Sequence, residues 1–190
     1  MSFGRKSAKP KAPLNEAGLY DYALKALGRT MRTEAELRRL MRQRVEPNET
    51  GEAIVNSVIT RLKEHGYLDD KSFAETFTRL RVENEKLGQR TVRQKLAQKG
   101  ISAPIVNETI EARYAGTDEE ALARQHIERK RLKKPENEKE TARILRRLIA
   151  AGFSTRTIYK ILRQWDIPEE TLSALDSIET DSLEEGLPHE

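Results

Sequence analysis

The sequence predicts an all-α fold of three tandem three-helix repeats that form an elongated, curved body. Apolar residues recur at spacings of three and four along most of the chain, which is the pattern of amphipathic helices. Capping residues and glycines divide this pattern into nine segments, and the inward positions recur about every fifty residues. The sequence lacks runs of alternating β-branched residues and the Asn-Gly or Asp-Gly dipeptides typical of hairpins.

The composition agrees with this fold class. Of the 190 residues, 36% are hydrophobic and 35% are charged, so the core must be thin, which favours an elongated helical body over a compact globule. Because there are no cysteines, disulfides, thiolate metal sites and cysteine nucleophiles are excluded. No apolar run approaches the roughly 20 residues that span a bilayer, and the first residues lack the apolar core of a signal peptide. We therefore expect a cytoplasmic protein without membrane contacts.

Composition and helix breaks predict five segments along the chain. They are a disordered basic arm at 1–13, three-helix repeats at 14–68, 69–116 and 117–165, and an acidic tail at 166–190. Within the tail, residues 168–175 could form one short helix, and the rest has the composition of a disordered segment. The arm has four basic residues, no acidic ones and little that could be buried.

The first repeat shows three helices with clear boundaries. A stripe that includes Leu19, Ala23 and Leu27 predicts the first helix, which ends at Gly28. Thr33 and Glu36 form a capping box at the start of the second, because each side chain can bind the backbone N–H of the other residue. Pro47 breaks the chain, and the third helix ends at Gly66, where a left-handed residue is expected.

The second repeat begins with a cap at Asp69 or Asp70. The buried side of its first helix is formed either by Phe73, Phe77 and Leu80 or by Ala74, Phe77 and Arg81. We expect this helix to end at Gly88, the next at Gly100, and the last, which Ser102 caps, at Gly116.

The third repeat has the same order of signals. A capping box at Thr117–Glu120 opens its first helix, and the sequence Lys133-Lys134-Pro135-Glu136-Asn137 separates the first helix from the second. Gly152 ends the second helix and Ser154 caps the third.

The repeats align without gaps inside the helices that can be compared. The aligned positions are Leu37/Val92/Ile144 and Met41/Leu96/Leu148 in the middle helices, and Val55/Val106/Ile158 and Ile59/Ile110/Leu162 in the third helices. The alternative is one irregular bundle whose helices share only amphipathic spacing.

Charge is distributed unevenly along the chain, whose net charge is +4. Residues 71–165 hold 22 Lys and Arg against 12 Asp and Glu, whereas residues 166–190 hold nine Asp and Glu and no Lys or Arg. A basic body favours a polyanionic partner or an acidic protein surface. The acidic tail could fold back on that body or remain in solvent.

Sequence signatures of catalysis are missing. There is no phosphate-binding loop of the Gly-x-x-x-x-Gly-Lys-Ser/Thr type and no Gly-x-Ser-x-Gly elbow. His65, His126 and His189 lack the spacing of metal ligands. We therefore expect a protein that is not an enzyme and that binds no cofactor or metal.

Basic residues that lie away from the apolar stripes are the candidates for partner or DNA contacts. They are Arg38, Arg39 and Arg42 in the first repeat, Arg90, Arg93, Lys95 and Lys99 in the second, and Arg129, Lys130, Arg131, Arg143, Arg146 and Arg147 in the third. The i, i+4 pairs Arg38/Arg42 and Arg143/Arg147 should each lie on one side of a helix. A single cluster of this kind is usually a solvated face, but its recurrence in three repeats favours a shared contact with phosphates or an acidic groove.

Three stretches carry a resemblance to a known family. The most specific is Gly66-Tyr67-Leu68-Asp69-Asp70-x-x-Phe73-Ala74, with Arg81 and then Gly88-x-x-x-Val92-x-x-x-Leu96-x-x-Lys99-Gly100-Ile101. The others are Tyr22-Ala23-Leu24-x-x-Leu27 with Arg32-Thr33-x-x-Glu36-Leu37, and Leu145-x-x-x-Ile149-x-x-Gly152-Phe153. Through them, over about residues 17–165, the chain resembles the RecX family, bacterial regulators of the RecA recombinase.

The resemblance implies tandem three-helix units, no enzymatic activity and binding along the groove of the RecA–DNA filament, usually with inhibition of strand exchange and ATP hydrolysis. It thus implies roles in recombination, DNA repair and the SOS response, and it adds Arg81 to the candidates. This chain has Thr91-Val92 where the family often has Arg-Ile. The role of the family's arginine is therefore taken over by Arg90 or is not filled in this chain.

Other partners are compatible with the sequence. The chain could bind duplex DNA without RecA, or act as an adaptor whose charged faces bind only proteins. Base-specific readout and a platform for stacking single-stranded bases have little support, because no recognition helix stands out and aromatic residues are few. We expect a monomer that binds single- and double-stranded DNA weakly and without sequence preference.

Overall fold

The structure, a computed structural model, describes residues 12–168 and residue 170, and this part of the chain contains nine α-helices and no strand. The helices are α1 (Glu16–Leu27), α2 (Glu34–Arg42), α3 (Glu49–Glu64), α4 (Asp70–Leu80), α5 (Gln89–Gln98), α6 (Ala103–Tyr114), α7 (Glu119–Arg129), α8 (Glu138–Ala151) and α9 (Thr155–Gln164). A π-helical turn, Arg81–Glu85, continues α4. The predicted all-α class is confirmed. Most of the predicted basic arm and acidic tail lies outside the described residues.

Most helices begin where a short polar side chain can accept a hydrogen bond from a free backbone N–H. Thr33 accepts from Glu36 N at 3.1 Å and Thr33 N donates to the Glu36 carboxylate, which confirms the predicted capping box. Ser154 caps α9 as predicted. The predicted box at Thr117 is wrong, because Asp118 is the cap of α7 and the Thr117 hydroxyl donates to Arg113 O.

Two adjacent aspartates at the start of α4 have different roles. The Asp69 carboxylate accepts from Lys71 N at 2.8 Å and from Ser72 N at 3.1 Å, so Asp69 is the cap. Asp70 accepts instead from Glu34 N, the first residue of α2, at 2.8 Å. The two carboxylates therefore satisfy free N–H groups at the starts of two helices.

Left-handed glycines end four segments as the sequence predicts: Gly66, Gly100, Gly116 and Gly152 all have φ between 69° and 95°. Gly88 does not end a helix, and that prediction is wrong. The π-helical turn ends instead at Lys86, which has φ 54°. This turn also moves the buried position from Leu80, which is 42% exposed, to Val82, so the predicted stripe through Leu80 is wrong as well.

All twelve positions aligned between the repeats are buried, with exposures of 0–7%. They come from α2, α5 and α8 and from α3, α6 and α9. Equivalent helices thus bury equivalent residues, as a repeated three-helix pattern requires.

Contacts divide the described residues into two compact units. Unit 1 comprises the described residues up to Glu75 together with Leu96–Ile105, and unit 2 comprises Thr76–Lys95 together with the described residues from Val106 onward. Helices α4, α5 and α6 contribute to both units. The segment boundaries predicted at 69 and 117 stay a prediction.

Each unit has its own core. In unit 1, α1, α2 and α3 pack pairwise around Leu19, Leu37, Met41 and Leu62, which are fully buried. In unit 2, α7 and α8 pack against α9, and Phe153 and Leu148 are fully buried. None of the helices in residues 12–168 has the length and apolar character that crossing a membrane requires.

Candidate nucleic-acid interface

A cleft in unit 2 brings together basic residues from two parts of the third predicted repeat. Its lining includes five cations, two carboxylates and two apolar side chains: Arg131, Lys133, Lys134, Arg143 and Arg147; Glu136 and Glu140; Leu132 and Ile144. We call this set the basic cleft. It is open to solvent and has a volume of about 320 Å³.

The segment between α7 and α8 supplies three of the cations. Helix α7 ends at Arg129, and Arg131 has φ 51°, which turns the chain out of the helix. Pro135 is buried and Leu132 is half-buried, whereas Arg131 and the two lysines after Leu132 are exposed. The apolar residues therefore hold the segment against unit 2 and leave its charges in solvent.

Helix α8 supplies the other two cations. Asn137 caps the helix by accepting from Glu140 N at 3.0 Å, and the Glu140 carboxylate accepts from Glu136 N at 3.0 Å. The inward positions Ile144, Leu145 and Leu148 are buried, and this orients Arg143 and Arg147 outward, one turn apart. Both line the cleft, as their i, i+4 spacing predicts.

Most of the cleft's positive charge is not neutralised by neighbours. With the described residues, Arg131, Lys133, Arg143 and Arg147 form no ion pair, and Lys134 pairs with Asp166 at 3.3 Å. One cleft carboxylate, Glu140, is engaged by a backbone N–H. The arrangement therefore suits an anion that spans several cations, such as a phosphate backbone or an acidic protein surface.

The other predicted residues of this repeat lie beside the cleft. Arg129, Lys130 and Arg146 are exposed but are not part of its lining. Lys133 and Lys134 also line the cleft. They end the basic run Arg129-Lys130-Arg131-x-Lys133-Lys134, which the sequence shows as a dense cluster at a helix end.

In the first repeat, two of the three predicted arginines are held by neighbours. Arg38 donates to Glu34 at 2.8 Å and to Asn56 at 2.6 Å. Arg42 binds both oxygens of the Glu52 carboxylate, at 2.9 and 2.6 Å, and these hydrogen bonds lower the pKa of Glu52. Arg39 is exposed.

The second repeat shows a similar mixture. Arg81 pairs with Glu85 and lies 4.7 Å from the centroid of the Phe77 ring, and Arg93 donates to Asn107. Lys99 pairs with Glu36 at 2.8 Å. Arg90 is exposed and Lys95 is half-buried. The structure thus gathers cations into a cleft in the third repeat, while many of those in the other repeats bind neighbouring side chains.

The described residues contain no cluster of side chains that could bind a metal ion. In residues 12–168 and 170, no three His, Asp or Glu side chains are close enough to hold a metal ion. His65 bonds to the Tyr20 hydroxyl at 2.9 Å, and His126 lies 2.9 Å from Glu85 O, so both imidazoles are engaged within the fold.

The fold and the site define an all-helical protein, over the residues that the structure describes, with a cationic surface cleft. A family model for the second three-helix domain of RecX matches residues 69–110. Regulatory protein RecX of Mycolicibacterium vanbaalenii is 30% identical over 76% of this chain and 77% of its own length. The chain therefore belongs to the RecX family of regulatory proteins.

Two further comparisons define the extent of the likeness. Regulatory protein RecX of Deinococcus radiodurans is 35% identical over 59% of this chain and 53% of its own length, so the chain spans about half of that relative. A crystal structure of a regulatory protein RecX aligns with a TM-score of 0.63 at 21% identity, covering 78% of this chain and 71% of the other. That structure supports the fold.

Proposed function

We propose that this protein regulates the RecA recombinase by binding the RecA–DNA filament and inhibiting its activity in recombination and DNA repair, in the cytoplasm. The observation that carries the proposal is the basic cleft, found in a chain of the RecX family. A filament of protein and DNA offers both phosphates and acidic side chains, and either can pair with exposed Arg and Lys side chains.

The cleft's chemistry favours contacts that do not depend on base sequence. One guanidinium group, such as that of Arg143 or Arg147, can donate hydrogen bonds to two oxygens of the same phosphate or carboxylate. A lysine ammonium group acts as a point charge. The lining has no aromatic side chain and no Asn or Gln that could read base edges. Binding should therefore be weak for DNA alone and should fall steeply with salt, because neutralised phosphates release counterions.

A second candidate function is the binding of duplex DNA without RecA. The same cleft favours it, since phosphate contacts alone can supply non-specific affinity. The two functions differ in what happens when RecA is present, so one experiment separates them.

The test is RecA-dependent ATP hydrolysis on single-stranded DNA, titrated with the full chain. The proposal expects inhibition at protein concentrations well below those at which a fluorescent duplex is bound without RecA. Duplex binding with unchanged RecA ATPase activity would favour the second candidate. Neither inhibition nor stimulation of RecA, together with no binding to preformed filaments in a pull-down, would reject the proposal.

A further inference from the structure

The basic cleft lies next to the point where the chain leaves the described structure. Helix α9 ends at Gln164, and Asp166 has φ 53°, which turns the chain out of the helix. The Asp166 carboxylate lies 3.3 Å from the Lys134 Nζ. Both side chains are more than half exposed, so this ion pair contributes little energy. It does place Asp166, the first acidic residue of the predicted acidic tail, beside a cation of the cleft.

The residues that follow are complementary to the cleft in charge. Residues 169–190 contain eight Asp and Glu and no Lys or Arg. The cleft has five cations and two carboxylates, and four of its cations form no ion pair with described residues. The segment also has apolar residues, among them Leu172 and Leu175, which match the apolar Leu132 and Ile144 of the cleft.

The length of the segment allows it to reach the whole cleft. Twenty-two residues can extend over at most about 70 Å, at roughly 3.3 Å a residue. Because the segment is tethered beside the cleft, its effective concentration there is on the order of 1 mM. Even an intrinsic Kd of about 0.1 mM would then keep the cleft mostly occupied and weaken the binding of an external anion about tenfold.

We propose that the acidic segment, residues 169–190, occupies the basic cleft and competes there with the anionic partner. The inference rests on the proposed function, because it assigns a regulator to the same cleft. A partner that offers many phosphates or carboxylates at once displaces the segment more readily than a short stretch of DNA does. The segment thus sets a threshold that favours a polymeric partner over scattered anions.

Occupancy can be measured without any partner, because the chain has no cysteines. In the full chain, Lys139→Cys and Ser182→Cys are labelled with a fluorescence donor and acceptor. Lys139 is exposed in the first turn of α8 and does not line the cleft. Energy transfer should fall at 1 M NaCl, since salt screens the attraction, and also when the segment is neutralised. Equal energy transfer at low salt, at 1 M NaCl and with the segment neutralised would show that the segment does not occupy the cleft.

The consequence for binding is measured with a fluorescein-labelled 40-nucleotide oligo(dT) at low salt. Two full-length variants each remove five negative charges by Glu→Gln or Asp→Asn changes. The segment variant changes Glu169, Glu170, Asp176, Glu179 and Asp181, and the matched control changes the exposed Asp21, Glu49, Glu64, Glu75 and Glu111. The segment variant should bind about tenfold tighter than the unmodified chain, and the control no more than about twofold tighter.

The same comparison in a chain that carries Arg143→Gln and Arg147→Gln separates competition from net charge. If the segment competes for the cleft, neutralising it in this background should increase the affinity for oligo(dT) only slightly. An equal gain in both backgrounds, or an equal gain in the control variant, would overturn the inference. If no variant bound oligo(dT) or inhibited RecA, the proposed function would fail, while the energy-transfer measurement would still decide whether the segment occupies the cleft.

Discussion

The backbone N–H of Gly88 donates a 2.9 Å hydrogen bond to the carbonyl oxygen of Ala151, at the end of α8. A Cβ on residue 88 would overlap the carbonyl oxygen of the next residue, Gly152. Gly88 is therefore required for two backbones of unit 2 to touch. Thr91 strengthens the same contact, because its hydroxyl donates to Ala150 O at 2.8 Å.

Replacing Gly88 with alanine should destabilise the protein by about 2 kcal/mol, because the added methyl group meets backbone atoms that can move only as part of α8. Urea unfolding followed by circular dichroism measures the change. Gly28→Ala is the control, since Gly28 has φ −65° and a Cβ there would come no closer than 3.4 Å to its neighbours. A loss at 88 no larger than at 28 would contradict this role of Gly88.

Gly88 shows where prediction from sequence stopped. Helix starts and ends depend on residues a few positions apart, so the capping box at Thr33 and the left-handed Gly66 were predictable. The contact between Gly88 and Ala151 joins residues 63 positions apart, and no local pattern encodes it. The glycine was visible in the sequence, but the backbone contact that requires a glycine there was not.

The candidate site shows the same limit. The basic run after α7 and the i, i+4 arginines of α8 were each visible in the sequence, but their meeting in one cleft depends on tertiary packing. Likewise Tyr20, His65 and Tyr67 form an edge-to-face ring cluster whose members are up to 47 positions apart. The ion pair between Arg42 and Glu52 could not be predicted either, although it decides whether Arg42 is available to bind a partner.

A carboxylate on α7 holds the start of α9. Glu119 accepts from Ser154 N at 2.8 Å, from the Ser154 hydroxyl at 2.5 Å and from the Thr157 hydroxyl at 2.6 Å. Burial alone would raise the pKa of Glu119, but these hydrogen bonds outweigh it and lower the pKa. The ionised carboxylate is thus the form that the fold selects.

Glu119→Gln should cost about 2 kcal/mol of stability, because an amide NH₂ would face donors where the carboxylate accepts. Since the folded-state pKa is lowered, the stabilisation is present above the unfolded value near 4.5 and is lost as the pH falls through the folded value. Thermal unfolding between pH 3 and pH 7 tests both statements. Glu83→Gln is the control and should lose less, because both side chains of its ion pair with Arg79 are about half exposed. Similar losses in the two variants would argue against the role of Glu119.

His126 should make unit 2 less stable below neutral pH. Its imidazole is buried against the Phe153 ring, with Nδ1 2.9 Å from Glu85 O. Burial lowers the pKa of His126, and the charges of Lys130 and Arg129 lower it further. The folded state therefore disfavours the protonated ring.

The folded-state pKa of His126 lies below the unfolded value of about 6.5. Above that pH the ring is neutral in both the folded and the unfolded chain, so it does not make the unfolding free energy depend on pH. As the pH falls below 6.5, the unfolded chain takes up a proton before the folded chain does, so stability decreases until the folded value is passed. The unfolding free energy of the unmodified chain minus that of His126→Gln should thus shrink between pH 8 and pH 5. A difference that stays constant over this range would show that His126 does not titrate differently on folding.

Reversing Arg143, Arg146 and Arg147 to glutamate should weaken filament binding strongly while leaving the helical content intact. All three side chains are exposed and none pairs with a described residue, so the fold does not depend on their charge. Two of them line the basic cleft, where the reversal replaces attraction to phosphates with repulsion. Filament binding is measured by co-sedimentation with RecA on single-stranded DNA, and helicity by circular dichroism.

The matched control for this reversal changes Lys25, Arg29 and Arg61, three exposed cations of unit 1, to glutamate. Both variants alter the net charge by the same amount, so a general electrostatic effect would weaken their binding equally. A cleft-specific contact requires the α8 variant to lose much more affinity, and to show a shallower dependence of affinity on salt, because fewer counterions are released when fewer cations meet the partner. Unchanged affinity of the α8 variant would remove this face of α8 from the filament contact, and equal losses in the two variants would assign the effect to net charge.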